Sequence, residues 1–163
     1  MDVIEERRSI RNYLNKPIPD DIIKQIAKAG RLAPSASNRQ PFEFVFVTDK
    51  QIINDISVQP FLKKAPLIIV GTVDSRITPK WEKVDLALAL HNMVLYATSI
   101  GLGTCYIGWF HEESVREACN IPETHKILLL VSVGYEGKNA RIPLDRKDFS
   151  QTFYLNKWKE PLI

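Results

Sequence analysis

The stretch LALALHNMVLYATSIGLGTCYIGWF, residues 86–110, contains no Asp, Glu, Lys or Arg. A run of that length can span a bilayer, so its reading decides between a membrane segment and the interior of a folded domain. His91, Asn92, Thr98 and Ser99 interrupt it, Gly101-Leu102-Gly103-Thr104 breaks it, and no second such run accompanies it. The pattern therefore predicts a helix from about Glu82 to Ile100, apolar nearly all round, buried within the protein or at a subunit interface. Gly101 suits the left-handed residue that ends such a helix. Thr104 to Ile107 follows as a short strand.

On the N-terminal side, a short helix is expected from about Val3 to Arg8, then a turn broken by Pro17 and Pro19. Asp20 and Asp21 sit where acids favour a helix start, and Ile22, Ile23, Ile26 and Ala27 form its apolar stripe, which stops before Pro34. Phe42–Val47 and Leu67–Val73 read as strands, rich in aromatic and β-branched residues. Between them lies a short helix carrying Ile52, Ile53 and Ile56 and capped by Asp49. On the C-terminal side a helix runs from near Glu112 to Asn120, and Ile127–Val133 is a continuous apolar strand. Residues 136–163 are polar with scattered aromatics and read as an arm. No repeat or linker divides the chain, so residues 1–163 are taken as one domain. The mixture predicts an α+β or α/β fold, with the strand order open.

Composition narrows the function classes. The 163 residues include 22 Lys+Arg and 19 Asp+Glu, for a net charge of +3, and 45% are hydrophobic. That apolar content excludes a disordered tail protein. Two cysteines, Cys105 and Cys119, exclude a disulfide framework and show no metal-ligand spacing. The modest charge and single compact basic cluster argue against a nucleic-acid partner, while leaving room for a local anion site. Glu5, Glu6, Arg7 and Arg8 follow Met1–Ile4 at once, so no signal segment is read there and a cytoplasmic location is expected.

Three constellations can carry chemistry. Arg7-Arg8-Ser9-Ile10-Arg11 places three guanidinium groups and a hydroxyl within one turn or two, a match to phosphate oxygens; read alone, it is also an ordinary solvated face pairing with Glu5 and Glu6. The loop Pro34-Ser35-Ala36-Ser37-Asn38-Arg39-Gln40-Pro41 offers donors and acceptors on a backbone restrained at both ends, or is a plain surface turn. Gly101 to Gly108 holds glycines that let backbone approach a flat ligand, or simply stops a helix and bends the chain. Its spacing is not that of a dinucleotide fingerprint. His91, His111 and His125 form no metal pattern, and Cys105 reads as a small buried residue rather than a nucleophile. Asp85, on the predicted buried helix, reads as an acid near a helix start, with a functional role as the alternative. Anion-binding and ring-binding groups without an acid–base or nucleophilic set are the profile of a protein whose cofactor supplies the chemistry.

Taken together and in order, these segments resemble the nitroreductase family of flavin enzymes. Arg7-Arg8-Ser9-Ile10-Arg11-Asn12-Tyr13 resembles its opening signature, Pro34 to Pro41 its polar loop, and Gly101 to Gly108 its glycine segment. Val133-Gly134-Tyr135, the later Asp145-Arg146-Lys147, and Tyr154, Asn156 and Trp158 extend the similarity towards the C-terminus.

The resemblance implies an α+β fold with a central, mostly antiparallel sheet flanked by helices, in a homodimer with FMN at the subunit interface. It implies that Arg7 and Arg146 hold the FMN phosphate, with Arg8 and Lys147 beside them, and that Ser9 contacts the phosphate or ribityl chain. Arg11 would lie at the N1–C2 edge of the flavin, where negative charge develops on reduction, and so tune the cofactor. Ser35, Ala36, Ser37 and Asn38 would come from the partner subunit. Tyr106, Ile107 and Gly108 would line the ring and offer a backbone N–H to N5.

The implied activity is hydride transfer from NADPH or NADH to nitroaromatics, quinones or a similar small acceptor. Reductive dehalogenation, flavin fragmentation and simple FMN storage are the alternatives. The chain is short between Val73 and Glu82, and Trp109-Phe110-His111 is bulkier than the family's usual turn. Acceptor range and the choice of NADH or NADPH stay open.

Overall fold

The computed structural model describes residues 3–141 and 145–162. At its centre lies β2 (Leu67–Asp74), every residue of which is buried. An unbroken apolar run is what a strand covered on both faces requires. Its neighbours are β1 (Phe42–Val47) on one side and β4 (His125–Tyr135) on the other, with β3 (Leu102–Ile107) beyond β4. The order is β1-β2-β4-β3 and all three pairings are antiparallel. This is the α+β architecture with an antiparallel sheet that the resemblance implies.

Side chains alternate across β2 and divide the core in two. Ile68 and Val70 pack with Ile53 and Ile56 of α3 (Lys50–Ile56) and Val115 of α5 (Glu112–Cys119). Leu67 and Ile69 pack with Leu86, Leu90 and Met93 of α4 (Glu82–Ser99) and Ile26 of α2 (Asp20–Arg31). Helices thus cover both faces of the sheet. A short α1 (Val3–Glu6) precedes them all.

Local signals act where expected. Asp49 caps α3, accepting from the N–H groups of Gln51 and Ile52. Gly101 ends α4 with φ +80°, and Asn120 takes the same left-handed role after α5. Residues 86–110 are not one segment: α4 stops at Ser99 and β3 begins at Leu102. Among the described residues, no helix is long and apolar enough to cross a membrane.

The helix over residues 82–99 is not buried all round. Leu86, Ala89, Leu90, Met93, Val94 and Ala97 face the core, while Val84, Ala87, Leu88 and His91 are exposed. A helix lying on a sheet covers it with one stripe only, so the opposite apolar stripe is left open in a single chain. The C-terminal arm leaves β4 alongside residues 12–14, where Gly137 N–H donates to the Asn12 carbonyl (2.8 Å) and Tyr13 bridges Glu136. Further on it exposes Phe149, Phe153, Leu155 and Trp158.

Candidate functional site

The Arg7–Arg11 segment is fixed along the outer edge of β3. Ile10 is buried, its N–H donates to the Thr104 carbonyl (2.8 Å), and Ser9 pairs with Thr104 as a short parallel bridge. Tyr13 secures the segment from below: its hydroxyl donates to the Ile10 carbonyl (2.7 Å) and shares a hydrogen bond with Ser132 Oγ (2.8 Å). Burial pushes the Tyr13 phenol well above its ordinary pKa, so this anchor stays protonated. With Ile10 turned inward, Arg7 is left half-buried and Arg11 exposed. Among the described residues no ion pair holds Arg7, Arg8 or Arg11. Arg8 instead donates to the carbonyl oxygens of Glu5 and Arg7. Glu136 and the Glu6 carbonyl are taken by Arg141 (2.8 and 3.1 Å). The basic face pairing with Glu5 and Glu6 that the sequence also allowed does not form here.

Among the described residues, the outer edge of β3 carries no further strand beyond Thr104. In an antiparallel ladder, backbone groups alternate between the two sides of a strand. Since Thr104 turns its carbonyl outward to Ile10, Tyr106 presents its backbone to the same open side, and Gly108 continues that parity. Cys105 and Ile107 point their side chains into the core. Ile107, by the same alternation, turns its backbone towards Leu130 of β4, so neither its side chain nor its backbone faces the open edge. The Tyr106 hydroxyl hydrogen-bonds His91 Nδ1 (3.1 Å). Burial pushes this phenol up to about 12, with Arg7 opposing. The Cys105 thiol is likewise pushed up by burial, against the opposing pull of Arg11, Arg7 and a Ser9 hydrogen bond. It remains a thiol, as a buried structural cysteine should.

A Cβ built on Gly108 meets nothing within 4 Å, whereas one on Gly103 lies 2.7 Å from Ile10 Cγ1. Gly103 is required by the fold; Gly108 borders open space. Uncommitted guanidinium groups, an unpaired strand edge and an open glycine suit a flat ligand with an anionic tail.

The Pro34–Pro41 loop forms a second group. Ser35 and Ala36 are half-buried, Ser37 and Asn38 exposed. Ser37, Asn38 and Gln40 all adopt positive φ (52°, 54° and 50°). Three such non-glycine residues in one loop persist only where surrounding contacts impose them. Inside the loop, Gln40 N–H donates to Ser35 Oγ (2.9 Å). From outside, Asp85 Oδ1 accepts the Ala36 N–H (2.9 Å) and Oδ2 accepts the Thr78 hydroxyl (3.4 Å). Asp85 is 2% exposed. The sequence favours a helix-start acid over a functional one; the signal for the latter is an acid in register with the buried stripe of Leu86, Ala89 and Met93.

Arg146 and Lys147 are exposed, and Arg146 hydrogen-bonds Asp145. Among the described residues, no hydrogen bond or ion pair joins the loop or Arg146 to the Arg7–Arg11 group. One chain thus assembles Arg7, Ser9 and Arg11 with Tyr106–Gly108, and holds Ser35–Asn38 apart at the start of α4. No cluster of three or more potential metal ligands occurs among the described residues.

Comparison with known proteins agrees with this fold. The nitroreductase family model matches residues 4–58 and 56–135. A protein of Archaeoglobus fulgidus described as an NADH dehydrogenase/NAD(P)H nitroreductase is 34% identical, covering 90% of this chain and 87% of its own. The structure of an FMN-dependent nitroreductase from Clostridium difficile R20291 matches with a TM-score of 0.87 at 26% identity, over 96% of this chain and 99% of that one. The NADPH:FMN oxidoreductase of Vibrio harveyi, solved with NAD+, matches with a TM-score of 0.84 at 26% identity, over 98% of this chain and 79% of its own. By sequence over most of its length and by the course of its backbone, the chain belongs to the nitroreductase family.

Proposed function

We propose that the chain is an FMN-dependent NAD(P)H oxidoreductase that works as a homodimer and reduces nitroaromatics, quinones or a similar small acceptor. The observation that carries this reading is the placement of unpaired Arg7 and Arg11 beside the open β3 edge at Tyr106–Gly108. Arg7 holds the phosphate, whose charge of nearly two calls for guanidinium partners, with Arg8 adjacent and Arg146 and Lys147 brought in from the arm. Ser9 hydrogen-bonds the phosphate or ribityl chain. Arg11 sets a fixed positive charge at the N1–C2 edge. Tyr106 and Gly108 supply the ring wall and an edge N–H, and Ile107 between them anchors that edge to β4 and the core. Ser35, Ala36, Ser37 and Asn38 complete the site of the other subunit.

Bound FMN supplies the redox chemistry, taking a hydride from NAD(P)H and passing it on. The protein's part is to bind, orient and shield.

The test is the visible absorption spectrum of purified protein before and after anaerobic NADPH or NADH. A flavin spectrum that bleaches on addition is expected. Protein that is colourless and takes up no added FMN overturns the reading. Bound flavin that neither nucleotide bleaches favours the second reading, a module that holds FMN without turnover.

A further inference from the structure

We infer that Asp85 is the positioning residue for the flavin-facing loop, holding Ser35–Asn38 in its binding conformation through the Ala36 N–H; this rests on the proposed FMN site. Between Ser35 and Asn38 the loop's other hydrogen bonds are its own: Asn38 N–H to the Ser35 carbonyl, Arg39 N–H to the Ala36 carbonyl, Gln40 to Ser35 and Asn38. Such internal bonds shape a turn without fixing where it points. The loop's ties elsewhere come after Asn38, from Arg39 to the Ile77 carbonyl (3.3 Å) and from Asp74 N–H to the Pro41 carbonyl (2.9 Å). Asp85 ties that turn to α4, and through Oδ2 it ties the same point to Thr78. Thr78 and Ala36 both line a cavity of about 290 Å³ that also includes Ser37, Arg39 and Trp81. One carboxylate therefore ties together the two segments that border it.

The environment of Asp85 is unusual for a merely stabilising acid. It is buried, yet no ion pair among the described residues includes it. A buried carboxylate held by an N–H and a hydroxyl is retained at a desolvation penalty that an apolar residue would avoid. The three positive-φ residues account for it, because strain of that kind needs an external restraint.

The restraint is a hydrogen-bond acceptor, so Asp85→Asn preserves it and Asp85→Ala removes it. Two readouts are needed: FMN affinity by flavin fluorescence titration of the apoprotein, and tryptic cleavage after Arg39 in the same protein without FMN. D85A should weaken FMN binding about tenfold and accelerate cleavage at Arg39 by a similar factor. D85N should lie close to wild type in both. Ala36→Pro deletes the donor from the loop side; Ala36 opens its turn and follows an extended Ser35, both of which proline accepts. A36P should speed cleavage as D85A does, and the double variant should go no further than either single one. If D85A does not fold, the comparison of A36P with wild type carries the test.

Wild-type cleavage rates in D85A or A36P, or D85N as impaired as D85A, overturn the inference. Wild-type protein that binds no FMN yet shows the expected cleavage pattern overturns the FMN reading and leaves the Asp85 restraint standing.

Discussion

At the scale of single residues, Gly103 and Gly108 are alike in sequence and opposite in duty. A methyl on Gly103 collides with buried Ile10 and with Glu136, at 2.7 and 2.8 Å. Gly103→Ala should therefore destabilise the fold by about 1–3 kcal/mol, seen as a lower thermal midpoint with or without FMN. Gly108→Ala places its methyl in open space and should leave the apoprotein midpoint within about 0.5 kcal/mol of wild type. If the flavin ring packs there, FMN titration will show weakened binding in G108A alone. Equal FMN affinity in G108A and wild type removes Gly108 from the ring wall. Arg11 is separable in a different way. It is exposed and free of ion pairs among the described residues, so Arg11→Ala should fold normally and retain FMN, but slow its reduction by NAD(P)H in stopped-flow traces. Unchanged reduction kinetics would assign its charge elsewhere.

At the scale of elements, what the sequence disclosed divides by the distance over which each signal acts. Asp49, Gly101 and Asn120 mark helix ends through bonds to residues three or four away, and each is readable from its own window. The strand segments were equally readable as apolar runs. The β1-β2-β4-β3 order was not, because pairing β2 with β4 before β3 depends on which faces the helices cover. The inward turn of Ile107 could have been read from alternation with Cys105. The hold of Asp85 on Ala36 spans 49 positions and leaves no local pattern.

The connections obey the same division. Arg116, 8% exposed, donates from one nitrogen to the carbonyls of Pro122 (2.8 Å) and His125 (3.0 Å) and pairs with Glu112 (2.7 Å). It staples α5 to the start of β4. Arg116→Ala should cost about 2–4 kcal/mol in chemical denaturation, and Arg116→Lys should recover only part, since an ammonium cannot reproduce the planar fork. The turn before α4 carries a pH signature. Arg76 hydrogen-bonds Asp74 and lowers its pKa from 3.8 to about 2. A depressed carboxylate stabilises the fold above its unfolded pKa and loses that contribution as pH falls through its folded one. The loss thus belongs between about pH 4 and 2, and Arg76→Ala should raise the pH at which acid unfolding begins. An acid-unfolding onset identical in the two proteins would show the pair to be without effect.

At the scale of the whole molecule, the exposed stripe of α4 and the divided site pose one question. Val84, Ala87, Leu88 and His91 border a groove of about 480 Å³ that reaches Tyr106, so the apolar stripe runs directly into the proposed ring wall. An apolar helix face of this kind calls for a cover. In the proposed homodimer a second copy of the chain would meet that need and, in the same contact, bring a Ser35–Asn38 loop that makes no hydrogen bond, among the described residues, to its own chain's Arg7–Arg11 group. Dimerisation and flavin binding should then be lost together. Leu88→Lys tests this because Leu88 is 40% exposed and outside both core clusters, so the substitution leaves the monomer fold intact while placing a charge in the seam. Sedimentation velocity at micromolar concentration should show wild type as a dimer and L88K as a monomer with native circular dichroism. FMN affinity should fall in parallel. A folded L88K monomer that binds FMN as tightly as wild type would mean that each chain holds a complete site, and that the loop from Ser35 to Asn38 serves its own flavin or none.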